Sequence, residues 1–279
     1  MVQRTMSNCM IENYARHLVN EEKSGLTIQK YLRDIQTFLK FAEKQPITKE
    51  LTIAYKQDLI ARNYAVSSVN SMLAALNGFL DFLGWHDCKI KVVRTQRKIY
   101  CAEEKELTKT EYLRLLAASK NQPQLNLIIQ TICATGIRIS ELQFFTLEAI
   151  KRGEVRVRCK NKTRIIFVPG SLRTRLMNFA KQHNITTGAV FVTRSGKPLD
   201  RSNIWTQMKN LCQKAQVNPK KVFPHNLRKL FARTFYSMEK DIAKLADILG
   251  HGSIETTRIY IMSTGAEHRR QIERMGLII

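Results

Sequence analysis

Acidic residues are scarce in this sequence. Its 279 residues hold 23 Asp+Glu against 46 Lys+Arg, a formal charge of +23. Such an excess attracts polyanions and favours nucleic acid through counterion release, although ribosomal proteins, nucleases and simple coating proteins share it, so charge names a class of partner and nothing finer. Long apolar runs are missing as well. None approaches the ~18 residues of a membrane span, and Arg4, Glu12 and Arg16 fall where a signal peptide needs its apolar stretch. The expectation is a cytoplasmic protein with no membrane partner. Cys9, Cys88, Cys101, Cys133, Cys159 and Cys212 stand singly, with no Cys-x-x-Cys and no close Cys/His pair, which argues against zinc and for reduced thiols. There is no Walker loop, no acidic cluster suited to a metal ion, no internal repeat and no low-complexity tract. With 44% hydrophobic and 25% charged residues, the chain has the means to build a core.

The charge is unevenly spread, with 16 basic and 11 acidic residues up to Lys105 and 30 basic and 12 acidic beyond it. The first part reads as helical. Ile28, Tyr31, Leu32, Ile35, Phe38 and Leu39 recur on one helical face after Ser24-Gly25, and Val66, Val69, Met72, Leu73, Leu76, Phe79, Leu80 and Leu83 repeat the pattern. Weaker helices near 9–20 and 49–62 complete a four-helix bundle. Between the parts, Lys89-Ile-Lys-Val-Val-Arg-Thr-Gln-Arg-Lys98 has no acid and no helical period. It reads as a linker, either lying along phosphates through Lys89, Lys91, Arg94, Arg97 and Lys98 or simply solvated.

The second part opens with the capping box Thr108-Lys-Thr-Glu111, and a second helix is expected from about Pro123 to Ala134, stopping at Gly136. The period then changes. Glu154–Lys160 alternates, Asn161–Thr163 turns and Arg164–Val168 continues extended, a hairpin whose polar face carries Arg156, Arg158 and Lys160. Further helices are expected at 171–182, 201–215, 225–237, 240–249, 254–260 and 266–275.

Three segments hold polar residues that packing alone explains poorly. In Thr135-Gly-Ile-Arg-Ile-Ser-Glu-Leu142, Arg138 sits between two isoleucines with Glu141 three residues on, a spacing that suits a buried structural pair as well as a phosphate ligand. His225 and Arg228 are three apart in Pro224-His-Asn-Leu-Arg228, close enough to grip one phosphate, yet His-x-x-Arg is weak by itself. In Leu249-Gly-His-Gly-Ser-Ile-Glu-Thr-Thr-Arg-Ile-Tyr260, His251 follows a helix-ending glycine, and Tyr260 lies on the next helix, where tyrosine is usually core.

Taken in order, these segments resemble the tyrosine site-specific recombinases, the family of phage integrases and Xer resolvases, over nearly the whole chain. The spacing of 26 positions from His225 to His251, the stretches Val190-Phe191 and Gly196-Lys-Pro198, and the Thr27…Tyr31-Leu-Arg-Asp34…Phe38-Leu39 helix fit the same likeness. The resemblance implies a mainly α fold with a small β-hairpin: an N-terminal four-helix core-binding, SAM-like domain (1–88), a basic linker (89–105), and an α+β catalytic domain with a tail helix (106–279). It implies that Arg138 and Arg228 clamp the scissile phosphate, that Tyr260 attacks phosphorus to leave a 3′-phosphotyrosyl enzyme, that His225 is the general acid–base, and that His251 hydrogen-bonds the phosphate. Lys160 would protonate the departing 5′-oxygen, Glu141 would orient Arg138, and Arg156, Arg158 and Arg164 would contact DNA. No cofactor is implied, because the phosphotyrosine keeps the energy of the broken bond.

Two departures stand out. The turn Lys160-Asn-Lys-Thr-Arg164 is one residue shorter than the family's Gly-Lys-Gly-x-Lys-x-Arg, which makes Lys162 an alternative general acid, and Lys229 replaces the family's histidine after Arg228, read as a change behind the site. The implied partner is duplex DNA with inverted-repeat core sites, engaged as a tetramer, with the segment after Tyr260 docking in a neighbouring subunit or folding back on its own domain. Fewer than ten residues precede the first helix, so no arm-binding domain is expected. Other readings are a type IB topoisomerase, against which the bundle and tail speak, and a non-catalytic DNA-binding regulator, against which the completeness of the set speaks.

Overall fold

The computed structural model describes residues 4–277 apart from 44, 95–99, 102, 160–161 and 194, and leaves out the side chains of 103, 159 and 162. The chain divides into two compact units, Met1–Arg97 and Lys98–Ile279.

In the first unit, Ser7, Ser24 and Thr48 each accept a first-turn amide hydrogen and so start α1 (Asn8–Asn20), α2 (Gly25–Ala42) and α3 (Lys49–Ala61). A fourth helix, α4 (Val66–Phe82), follows. The apolar stripes read from the sequence face inward. Ile11, Tyr14 and Leu18 of α1 meet Ile35 and Phe79, while Phe38, Tyr55, Leu59, Leu73 and Leu76 form the rest of the core.

The described part of the basic segment expected as a linker, 89–94, is pinned to the first unit. Asn77 donates to the Ile90 carbonyl and accepts from its amide, both at 2.8 Å. Asn70 does the same for Val93, at 3.0 and 2.8 Å. Two side-chain amides thus substitute for a neighbouring strand, which is why a stretch with no helical period is nevertheless pinned. Lys49 reaches the Lys89 carbonyl. Lys89 itself is tied to Asp81 at 2.7 Å, whereas Lys91 and Arg94 remain exposed; Arg97 and Lys98 lie outside the described residues. The later part of the expected linker belongs to the second unit, where Cys101 pairs with Thr264 in a parallel bridge.

The second unit begins with α5 (Lys109–Ala118), whose capping box forms as expected. Next come α6 (Pro123–Thr135), a 3-10 run over Ile139–Phe144 and a six-residue α7 (Leu147–Arg152). The helix expected to start at Arg138 is present as this short 3-10 run, whereas α7 was not expected, being too short to show an apolar period. Strands β1 (Glu154–Cys159) and β2 (Lys162–Phe167) pair antiparallel, with Val157 opposite Arg164 and Cys159 opposite Lys162. Lys162 and Thr163, expected in the turn, are therefore strand. Then follow α8 (Gly170–Gln182), α9 (Arg201–Ala215), α10 (Pro224–Glu239), α11 (Ile242–Leu249), α12 (Ile254–Ile261) and α13 (Gly265–Glu273), close to the expected spans. Their core runs from Leu115 and Ile129 through Ile150 and Val155 to Met208 and Leu227, with a smaller cluster of Ala232, Leu245, Leu249 and Tyr260. No helix among the described residues is long and apolar enough to cross a membrane.

Candidate active site

Two helix ends prepare the site. Gly136 closes α6 and Gly250 closes α11, both at a φ of 64°, in the left-handed region that favours glycine. Gly136 is doubly required, since a Cβ there would come 2.4 Å from the Phe231 ring. The last carbonyls of such helices lack intrahelical donors and carry the negative end of the helix dipole. Arg228, on α10 and only 1% exposed, lies against both. It donates to Gly136 O at 2.5 Å and to Leu249 O at 2.7 Å. Burial, then the positive charge of Arg138, lowers its pKa to about 10, so it stays charged at neutral pH. Its Nε is buried with no hydrogen-bond partner among the described residues.

Arg138 caps the 3-10 run. Glu141, 2% exposed, accepts from the Arg138 amide at 2.7 Å and from its guanidinium at 3.2 Å. The orienting role expected for Glu141 thus has its geometry. Arg138 also borders a cavity of about 690 Å³, which it shares with His225, Arg228 and, from α9, Arg201 and Trp205. The last two, both exposed, escaped the sequence reading because nothing in a polar helix start distinguishes a cavity wall from a solvated face.

The rings of His251, Tyr260 and His225 pack at a tilt beside Arg228. The Tyr260 ring centroid is 4.9 Å from that of each histidine, and the Arg228 guanidinium is 5.8 Å from the ring. The Tyr260 hydroxyl lies 3.4 Å from His225 Nδ1, a long approach of the kind that tightens when a reaction complex assembles. Partial burial, then Arg228, Lys229 and Arg138, push the His225 pKa below its ordinary value, which favours the neutral base. His251 is pushed down to about 4 by burial and by Arg228, Arg138, Arg164 and His225. Its Nε2 faces Arg228 at 2.9 Å and its Nδ1 faces Thr257 Oγ1 at 2.8 Å. In this structure, then, His251 holds Arg228, and donation to a phosphate would require that bond to exchange.

Lys160 lies outside the described residues, as does the side chain of Lys162. Arg156 and Arg158 are exposed on the outer face of the hairpin. Arg164 is not among them. Opposite Val157, it points inward, its side chain 14% exposed and bonded to Glu141 at 2.6 Å. Lys229 pairs with buried Glu106, which Arg233 also approaches at 3.4 Å; the change from histidine therefore supports α10 from behind the site. Arg233 in turn holds Glu267 of α13 at 2.5 Å, so in this structure the tail helix lies against its own domain.

The profile of the phage integrase family matches residues 105–267, and that of the phage integrase N-terminal SAM-like domain matches residues 11–87. The chain belongs to the phage integrase family. It is 29% identical to the tyrosine recombinase XerA of Pyrococcus furiosus, covering 100% of this chain and 98% of that protein. Among solved structures, a lambda integrase dimer bound to a COC′ core site superposes with a TM-score of 0.75 at 17% identity, covering 94% of this chain and 96% of that one. A lambda integrase tetramer bound to a Holliday junction gives a TM-score of 0.74 at 17% identity over 93% of this chain and 78% of that one. The fold is lambda integrase-like.

Proposed function

We propose that this tyrosine recombinase cuts and rejoins duplex DNA at specific sites through a 3′-phosphotyrosyl intermediate on Tyr260, as a synaptic tetramer and with no metal or nucleotide cofactor. The observation that carries this reading is the Tyr260 hydroxyl, 3.4 Å from His225 and flanked by Arg228. A phenol of pKa ~10 is a poor nucleophile at neutral pH and needs a proton acceptor and nearby cations. His225, favoured in its neutral form, accepts the phenolic proton as the oxygen attacks phosphorus. Arg138 and Arg228 neutralise charge growing on the non-bridging oxygens, with the unpartnered Nε of Arg228 as one donor. Lys160 or Lys162 protonates the departing 5′-oxygen. Religation reverses these steps, with a 5′-hydroxyl attacking the phosphotyrosine, so the phosphodiester count is conserved without an external energy source.

Lys91, Arg94, Arg156 and Arg158, all exposed, would meet DNA phosphates. Lambda integrase, which shares the fold, is found as a tetramer on a Holliday junction, and this supports the tetrameric reading.

Covalent trapping tests the proposal. The protein and its Tyr260→Phe variant are incubated in EDTA with nicked duplex carrying a site selected by the protein from a random-sequence pool, then run on a denaturing gel. An adduct in the wild type alone is expected. An adduct that persists in Tyr260→Phe would assign the wrong nucleophile, and binding without any adduct would favour a regulator.

A further inference from the structure

Two acceptors of Arg164 also serve residues of the candidate active site. One end of its guanidinium donates to Glu141 Oε2 at 2.6 Å, and the other to the Leu249 carbonyl at 2.6 Å. Glu141 is the carboxylate that holds Arg138, and Leu249 O is one of the carbonyls that hold Arg228. Between them, Gly250 lies on the Arg164 side chain so closely that a Cβ would come 2.5 Å from Nη1 and 2.8 Å from Cδ. His251 is the next residue, and Lys162 precedes Arg164 by two on β2.

We propose that Arg164 is a positioning residue for phosphoryl transfer, setting the hairpin in register with Arg138, Arg228 and His251 without touching DNA. The inference rests on the recombinase reading above. A planar fork can bridge a carboxylate and a helix-end carbonyl at fixed spacing, whereas an ammonium acts as a point donor and cannot span both. Glu141 keeps Arg138, and Leu249 O keeps Arg228, when Arg164 is replaced. The fold should therefore survive while the site loses its alignment, and chemistry should suffer more than binding.

The test compares wild type, Arg164→Lys and Arg164→Gln on the selected nicked duplex at saturating protein. Both variants are expected to bind with wild-type affinity yet form adduct on the order of 10- to 100-fold more slowly, the usual scale for groups that orient reacting ones. Arg164→Lys keeps charge and stem, so it reads geometry even if Arg164→Gln folds poorly. Wild-type rates in either folded variant, or a loss confined to affinity, would overturn the proposal. An NMR titration of His251 reads, without turnover, whether the Arg164 guanidinium lies beside that ring as the proposal requires. Among the described residues, the charged and titratable groups around that ring are Arg228, Arg138, Arg164 and His225, with the Tyr260 ring tilted beside it and Thr257 bonded to it. Losing the Arg164 cation should raise the His251 pKa in Arg164→Gln but not in Arg164→Lys. An unchanged titration in Arg164→Gln would overturn the proposal whatever the adducts show, whereas a wild type that forms no adduct would fail the recombinase reading instead.

Discussion

Arg228 donates to His251 Nε2 at 2.9 Å, and this bond fixes the tautomer of the histidine. A guanidinium offers no lone pair, so Nε2 accepts and the Nδ1 hydrogen goes to Thr257. The folded ring titrates near 4, against about 6.5 in an unfolded chain. Between those values the unfolded chain binds more protons, so stability is complete above the unfolded value and is lost as pH falls toward the folded one. The thermal midpoint should therefore drop as pH falls through this window, and the drop should be shallower in His251→Gln, which has no ring to protonate. Equal slopes would show that the ring is not held as described.

Glu141 is buried and carries two guanidiniums, Arg138 and Arg164. Glu141→Gln leaves both facing a neutral amide, and breaking a buried pair in this way costs roughly 3–5 kcal/mol. Urea unfolding should show that loss, with a smaller one for Glu141→Asp, which keeps the charge. A Glu141→Gln protein as stable as wild type would mean that water already compensates the pair.

The two asparagines on α4 make a prediction about the first unit. Asn77→Ala removes both partners of Ile90, leaving its amide and carbonyl unpaired at a cost of about 1–3 kcal/mol. Hydrogen exchange at the Ile90 amide should accelerate. DNA affinity should fall in parallel, because Lys91 and Arg94 no longer hang from a fixed backbone, and the salt dependence of binding should flatten by up to about 0.9 for each phosphate no longer neutralised. Faster exchange with unchanged affinity would show that this segment does not need to be held.

Most of the helices were legible in the sequence because long apolar stripes and their capping residues carry the same message. Thr108 with Glu111, Gly136 and Gly250 each mark a boundary that the structure keeps. What escaped is set by register and by backbone. With the turn placed at Asn161–Thr163, Arg164 was expected to contact DNA together with Arg156 and Arg158, whereas the pairing of Cys159 with Lys162 puts it opposite Val157 and turns it inward. The segment after Cys88 looked like linker because its partners are the side chains of Asn70 and Asn77, far away in sequence. Motifs named Arg138, Glu141, His225, Arg228, His251 and Tyr260, which the structure brings close together, while the hairpin lysine they also named, Lys160, lies outside the described residues. The acceptors that hold Arg228 could not be named this way, since Gly136 O and Leu249 O are backbone atoms that no sequence pattern displays.

The tail supplies a last prediction, which depends on the tetramer proposed above. Glu267 caps α13 through Thr264 and pairs with Arg233, which also approaches Glu106, the partner of Lys229 beside Arg228. In this structure the tail thus occupies its own domain, and docking in a neighbour would require the Arg233–Glu267 pair to be exchanged for an equivalent one between subunits. Removing residues 265–279 leaves Glu106 to hold both Lys229 and Arg233, so α10 and its approach to DNA should persist. Gel-shift affinity for a single half-site should then stay near wild type, while recombination between two complete sites should fall by about tenfold or more, the factor that corresponds to weakening the assembly by about 1.4 kcal/mol. Unchanged recombination by the truncated protein would remove the tail from assembly altogether, and equal losses in binding and recombination would make it a structural part of its own domain.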